Sequence, residues 1–372
     1  MSKVAIVKCS TYDREALFEA LSKSLSLIGG IDTLLAAHAK VLIKPNLLSA
    51  RNPDEAVTTH PEFVRALIRV LKQKKCDISV GDSPSGFSGD FVERVYEVTG
   101  MKAVCAEEGA VLVKFDESKI INGIPIAKRV LESDVVISLP KFKTHGLVVM
   151  TGAIKNMYGA VPGLSKVEFH KKFPDPGEFS KLIVDVFSLA RPHLSIVDGI
   201  WSMDGDGPAG GRVRHLGLII AGFDAVSVDS VLCRIVGIKP DEIDMIAEAH
   251  RRNLGTSHSD DIEVLGENIK DVAVTDFRLA SSSILKKIPP PLMKMLSRFI
   301  FLRPYINTVL CVTCRMCVKN CPMHTIIQKD NYLKIDYSTC INCLCCFEVC
   351  PHAAIEIRKS FLVKIFSLLQ KK

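Results

Sequence analysis

Eight of the thirteen cysteines in this 372-residue chain fall into two runs near its end. The first is Cys311-x-x-Cys314-x-x-Cys317-x-x-x-Cys321 and the second is Cys340-x-x-Cys343-x-x-Cys346-x-x-x-Cys350, each followed directly by a proline, Pro322 or Pro351. Beyond the cysteines the halves still echo one another, CPMHTII at 321–327 against CPHAAIE at 350–356, so the segment is an internal duplication. Paired CxxC is usual at zinc sites. Four cysteines per run, each run ending in proline, depart from that pattern and point to iron–sulfur ligation. No spacing suggests a disulfide framework. Cys9, Cys76, Cys105 and Cys233 are scattered singly in apolar stretches and read as small buried hydrophobes.

The runs resemble bacterial-type two-cluster ferredoxins over residues 308–358. A tight CxxCxxC loop wraps three corners of a [4Fe–4S] cube, and the fourth iron takes the distant Cys-Pro of the other run. The proline turns the chain away after the ligand. Carried over residue by residue, the resemblance implies two [4Fe–4S] clusters. One would be held by Cys311, Cys314, Cys317 and Cys350, the other by Cys340, Cys343, Cys346 and Cys321. Cys345 is extra to the motif and is either a thiol packed against a cluster or an alternative ligand.

Nearly half the residues are hydrophobic, enough for a large core in a chain of two or three domains. The net charge of +7 tolerates anionic partners, but no aromatic-interleaved basic tract argues for nucleic acid. No run has the form of a signal peptide or the length of a membrane span. Thiols kept free for iron then place the chain in a reducing cytoplasm.

Residues 1–280 read as alternating α/β. Short β-branched runs recur at Val4–Val7, Val41–Ile43, Ile78–Val80, Val111–Val113, Val135–Leu139, Leu194–Val197, Leu218–Ala221 and Ile262–Leu265. Their continuous rather than alternating apolar character predicts an open, mainly parallel sheet covered on both faces, with an antiparallel excursion around 111–126. Between Pro61 and Lys74, Phe63, Leu67, Ile68 and Leu71 share a helical face, with Thr59 as expected N-cap. A linker at 281–307 leads to a small α+β ferredoxin-like domain at 308–358, and 359–372 follows it. Basic apolar segments at 292–303 and 361–372 are expected to pack against protein, a peripheral membrane contact being the less favoured reading.

In open parallel sheets, ligands bind beyond the carboxyl ends of the strands. Here those ends carry Lys44 and Asn46, then Asp82, then Lys141, Lys143 and His145, then Asp198. Lys155 and Asn156 follow in a glycine-rich segment suited to close backbone approach. The stretches KPNLL, TTHPEFVRALI, GDSPSG, LPKFKTHGLVVMTGAIKNMYG and DGIWSMDGDGP resemble, in order, the family known as DUF362. Members often carry a ferredoxin unit, and the resemblance implies this architecture without a reaction.

Cations that converge without matching acids repel one another unless an anion is bound. The residues therefore predict a pocket for a carboxylate- or phosphate-bearing small molecule, with His145 or His60 as general acid and Lys143 beside them. Lys44, Asn46, Asp82, Lys141, Lys155, Asn156 and Asp198 are the expected binding residues. Asp204 and Asp206 are equally readable as turn chemistry, and His170 as structural. Gly205-x-Gly207-x-x-Gly210 matches a dinucleotide fingerprint by letter, but it leads into a strand rather than a helix and reads as a loop. The leading expectation is an iron–sulfur oxidoreductase served by a redox partner protein or a small electron donor. The rival is an electron-carrier or adaptor subunit that docks a separate enzyme.

Overall fold

The computed structural model describes residues 1–84, 89–285 and 301–364. In its larger lobe the strands are β1 (Ser2–Lys8), β2 (Lys40–Pro45), β3 (Asp77–Val80), β4 (Val111–Leu112), β5 (Ser118–Ile121), β6 (Ile124–Ala127), β7 (Val135–Leu139), β8 (Lys141–His145), β9 (Val149–Thr151), β10 (Leu194–Asp204), β11 (Arg212–Gly222) and β12 (Ile262–Gly266). The main sheet runs β12-β1-β11-β10-β7-β2-β3-β4, with β8 and β9 branching from β10. Neighbours along the main path are parallel except where β11 pairs with β1 and β10. All eight β-branched runs are strands of this sheet. The antiparallel excursion is the hairpin β5–β6, which stands apart from it.

Alternation along each strand sorts side chains into two cores. Val4, Ile6 and Leu42 face one, while Ala5, Val7, Val41 and Ile43 face the other. Helices Pro176–Leu189 and Ala225–Ile235 cover the first face, and Arg14–Leu27 and Pro61–Lys72 cover the second. The helix from Pro61 buries Phe63, Leu67, Ile68 and Leu71 as its periodicity predicts. Its N-cap is His60 rather than Thr59: His60 Nδ1 accepts from the Glu62 amide at 3.2 Å. The Thr59 hydroxyl instead ties two strand ends, accepting from the Asn46 amide and donating to the Leu139 carbonyl.

The smaller lobe adds β13 (Leu302–Ile306), β14 (Ile326–Lys329), β15 (Tyr332–Ile335) and β16 (Ile355–Lys359), with short helices Met316–Lys319 and Cys345–Val349. Because β13 pairs with β16 in antiparallel register, this lobe begins at residue 302, inside the stretch read as linker. Most of the two basic apolar segments, and residues 85 and 86 of GDSPSG, lie outside the described residues. Among the described residues no helix is long and apolar enough to cross a membrane.

The lobes share a core. Val57, Met203 and Ala209 of the larger lobe cluster with Phe347, Ile355 and several cysteines of the smaller one. The loop holding Gly205, Gly207 and Gly210 is the tip of the β10–β11 hairpin, and it is the seat of the smaller lobe. A Cβ on Gly210 would come within 2.6 Å of the Phe347 ring. Asp206 in that loop accepts from the Ser281 amide at 2.8 Å and pairs with Lys359 of β16. Asp204 takes a two-pronged contact from Arg212 at 3.0 and 2.6 Å.

Candidate functional site

The carboxyl ends of β2 and β3 lie side by side, and the charges carried there pair. Lys44 Nζ sits 2.6 Å from Asp82 Oδ1, both side chains buried. Burial lowers the Lys44 pKa, and the Asp82 charge opposes that shift. Asp82 also accepts from the Leu47 amide at 2.7 Å. Gly159 has no side chain for a steric reason: a Cβ there would stand 2.3 Å from Asp82 Oδ1 and 2.6 Å from Lys44 Nζ.

Above this pair opens a cavity partly continuous with solvent. Asn46, Asp82, Lys155 and Asn156 line it, as do Lys166 and His170. The smaller lobe closes it with Asn320, Cys345 and Glu348. Lys155 is carried by the short helix Ala153–Asn156, whose first amides donate to buried Asp229 at 2.6 and 3.0 Å. Among the described residues its ammonium has no hydrogen-bond or ion-pair partner within reach. Burial lowers its pKa and the Glu348 charge opposes that.

Lys166 donates to Ser83 Oγ at 2.9 Å, to the Pro84 carbonyl at 3.1 Å and to the Ser83 carbonyl. No carboxylate pairs with it, and burial brings its pKa down to about 7. It therefore exchanges a proton near neutrality. The His170 ring stacks on Phe179 with centroids 4.3 Å apart. Burial holds it neutral, near 4.

Other residues singled out in the sequence lie elsewhere. Lys141 spends its three donors on Asp198 (2.7 Å), the Tyr12 hydroxyl (2.8 Å) and the Trp201 carbonyl (2.9 Å). Asp198, which sits within β10 rather than at its end, also accepts from Tyr12 and from the His60 amide. His60 stacks on Tyr12 at 3.7 Å, and burial lowers its pKa to about 4. None of these residues lines the cavity, and the Lys141 ammonium has no donor left for a ligand.

Lys143 is fully buried and donates to the Val57 carbonyl. Burial and then the Lys155 charge push its pKa well below the usual range. Nδ1 of His145 accepts from the Leu147 and Val148 amides at 3.1 and 3.4 Å, so its proton sits on Nε2. That atom faces Glu348 Oε1 of the smaller lobe at 3.1 Å. Burial lowers His145 to about 4. Burial would raise Glu348, but the His145 hydrogen bond and the charge of Lys155 outweigh it and hold the carboxyl near 2. At neutral pH the contact is a neutral imidazole donating to a carboxylate, a strong hydrogen bond across the seam between lobes.

In the smaller lobe the thiols gather across the two runs. Cys321, Cys340, Cys343 and Cys346 line one pocket, walled by Pro322, Ile326, Ile335, Ile341 and Leu344. Burial raises the Cys317 thiol to about 12, with the nearby sulfurs of Cys350, Cys314 and Cys311 adding like-charge repulsion. Backbone amides of Thr325 and Ala354 donate to Cys321 Sγ and Cys350 Sγ, each at 3.3 Å. Four sulfurs lining one apolar pocket, with the Thr325 amide donating to one of them, fit the donor set of an iron–sulfur cube. Cys345 does not join that lining; it sits on the wall of the larger cavity. Cys9, Cys105 and Cys233 are buried and Cys76 half-buried, none of them paired.

Sequence reading missed Glu348 and Lys166 and set His170 aside. Only Glu348 carried a signal, as an acid inserted between two ligand cysteines.

Comparison with known proteins agrees with this architecture. The family described as a domain of unknown function, DUF362, matches residues 41–234, and a 4Fe-4S dicluster domain matches residues 303–351. A thylakoid-associated protein of Synechocystis sp. is 30% identical over 261 residues, which span 68% of this chain and 80% of that one. The lactate racemase apoprotein from Thermoanaerobacterium thermosaccharolyticum shares 13% identity at a TM-score of 0.39, over 60% of this chain and 54% of that structure, a likeness too slight to argue from. The chain belongs to the DUF362 family and carries an iron–sulfur electron-transfer domain.

Proposed function

We propose that this DUF362-family chain is an iron–sulfur oxidoreductase acting on a small anionic molecule held between its lobes. Cys311, Cys314, Cys317 and Cys350 hold one [4Fe–4S] cluster, and Cys340, Cys343, Cys346 and Cys321 hold the second. When bound, these clusters supply or accept electrons one at a time. Lys155 takes the negative charge of the substrate, since its ammonium makes no direct ion pair and only the Glu348 carboxylate across the cavity acts on it. Lys166 Nζ, poised near pH 7, moves the accompanying proton. Lys44 and Asp82 neutralise each other beneath the cavity and keep its floor rigid. His145 and Glu348 fasten the electron-transfer lobe over it. A reducing compartment, the cytoplasm in our reading, suits thiols reserved for iron.

One observation carries this reading. The unpaired ammonium of Lys155 faces a wall supplied by the helix that bears Cys346 and ends beside Cys350. An adaptor that only docked a partner would have no need of a cation-bearing cavity closed by its own electron-transfer lobe.

The test is to reconstitute the full chain anaerobically and screen carboxylated and phosphorylated metabolites. Reduced protein is followed for reoxidation, oxidised protein for bleaching, and both for thermal shift. At least one anion should change the visible spectrum and raise Tm, and Lys155→Ala should lose both responses. A panel in which nothing alters the spectrum or the melting temperature would refute the proposal.

A further inference from the structure

The amides on the cavity wall are locked in one orientation by a chain of hydrogen bonds. Asn156 Nδ2 lies 3.2 Å from the Lys44 carbonyl oxygen, which can only accept, and 2.9 Å from Ser138 Oγ. The Asn156 amide nitrogen must therefore point there, leaving its Oδ1 to receive. It receives from Asn46 Nδ2 at 3.1 Å. That contact fixes the Asn46 amide in turn. Its Oδ1 is left buried with no donor, on a residue that lines the cavity. A second lining residue, His170, also presents a buried nitrogen, Nδ1, without a partner. Both residues line the cavity that Lys155 lines.

An unpaired ammonium calls for an anion, and a locked, unmet carbonyl oxygen calls for a hydrogen-bond donor on the same molecule. From this we infer that the cavity selects anions bearing a hydroxyl group near the charge over the matching deoxy anions. Asn46 Oδ1 accepts from that hydroxyl, and His170 Nδ1 is the second polar contact. The inference rests on the pocket reading above and narrows it to a substrate class. Hydroxy-carboxylates and hydroxy-phosphates share the required chemistry.

Sites that hydrogen-bond a ligand hydroxyl reject the analogue lacking it, because the protein group is then buried unmet. The experiment titrates the reconstituted full chain by calorimetry with two matched pairs: malate against succinate, and glycerol 3-phosphate against propyl phosphate. In at least one pair the hydroxylated member should bind about tenfold tighter, and the pair that responds decides between carboxylate and phosphate. Asn46→Ala should bring the two members of that pair within about twofold of each other, and His170→Phe, which keeps the stacked ring, should narrow the gap in part. Lys155→Ala should weaken both members alike.

Equal binding of both members by the unsubstituted protein would overturn this inference and leave the anion pocket standing. That measurement needs no variant to fold. No binding of any of the four would overturn the inference together with the pocket reading beneath it.

Discussion

The two halves of the cysteine-rich lobe are near copies with opposite fates. Each bends through three left-handed non-glycine residues at matching offsets, Thr313, Arg315 and His324 in the first and Asn342, Leu344 and Ala353 in the second. Each follows with a short helix, Met316–Lys319 or Cys345–Val349. Each donates a backbone amide to its last sulfur at 3.3 Å. The halves part only in what surrounds them. In the first, Cys314 is exposed, and the flanking Val309 and Val312 are 91% and 59% exposed. In the second, every residue from Cys345 to Cys350 is buried.

Matching positions show how. Val318 is half-buried, while its counterpart Phe347 packs on Gly210. Lys319 is exposed, while its counterpart Glu348 bonds to His145. Arg315 is exposed, while Leu344 rests by Gly146. A local motif can thus be duplicated whole, and the docking of the lobe then buries one copy's helix in the cavity wall while the other copy reaches the wall only through Asn320.

The largest effect should separate Cys346→Ala from Cys314→Ala. Each should lower iron content, but Cys346→Ala should also unseat the buried helix, seen as loss of soluble, anaerobically purified protein and a lower Tm. Equal yield and Tm for the two would break the asymmetry.

Phe347→Ala should cost about 3 kcal/mol in denaturant unfolding, the range for emptying a buried aromatic site. Val318→Ala should cost under about 1 kcal/mol, because less apolar surface is at stake.

Glu348→Ala leaves the His145 Nε2–H unmet in the seam and should destabilise by about 2 kcal/mol. Lys319→Ala, at an exposed position, should leave the unfolding midpoint unchanged.

A further effect is that of pH. His145 titrates near 4 when folded, below its ordinary 6.5, so the unfolded chain takes up the proton first as pH falls. Its contribution is complete above 6.5 and declines between 6.5 and 4, by about 1 kcal/mol at pH 5.5. His60 and His170 act in the same sense. Calorimetry at pH 7.5 and 5.5, with cluster absorbance followed to confirm intact iron, should show the Tm falling. His145→Asn should reduce that fall, and a fall of unchanged size would remove His145 from the seam's pH response.

Some of this was legible in the residues alone. The thiol spacing is a local pattern, because a cube's corners are wrapped by one loop, and eight apolar runs announced eight strands. Thr59 was misread as a cap because a hydroxyl before Pro61 fits that role locally. Its true partners, Asn46 and Leu139, come from other strands.

The lysines illustrate the limit best. The three lysines at the strand ends and Lys155 after them looked alike as cations, yet Lys44 and Lys141 each meet a buried aspartate, Lys143 meets a carbonyl, and only Lys155 of the four makes no direct pair. Composition and spacing determined that the chain binds iron and builds a parallel sheet, since both depend on neighbours close in sequence. Which cation faces the cavity, and which helix of the smaller lobe is buried against it, depended on contacts such as His145 with Glu348, 203 residues apart. Only packing could decide those, because burial sets the cost of a charge and the partner that must meet it.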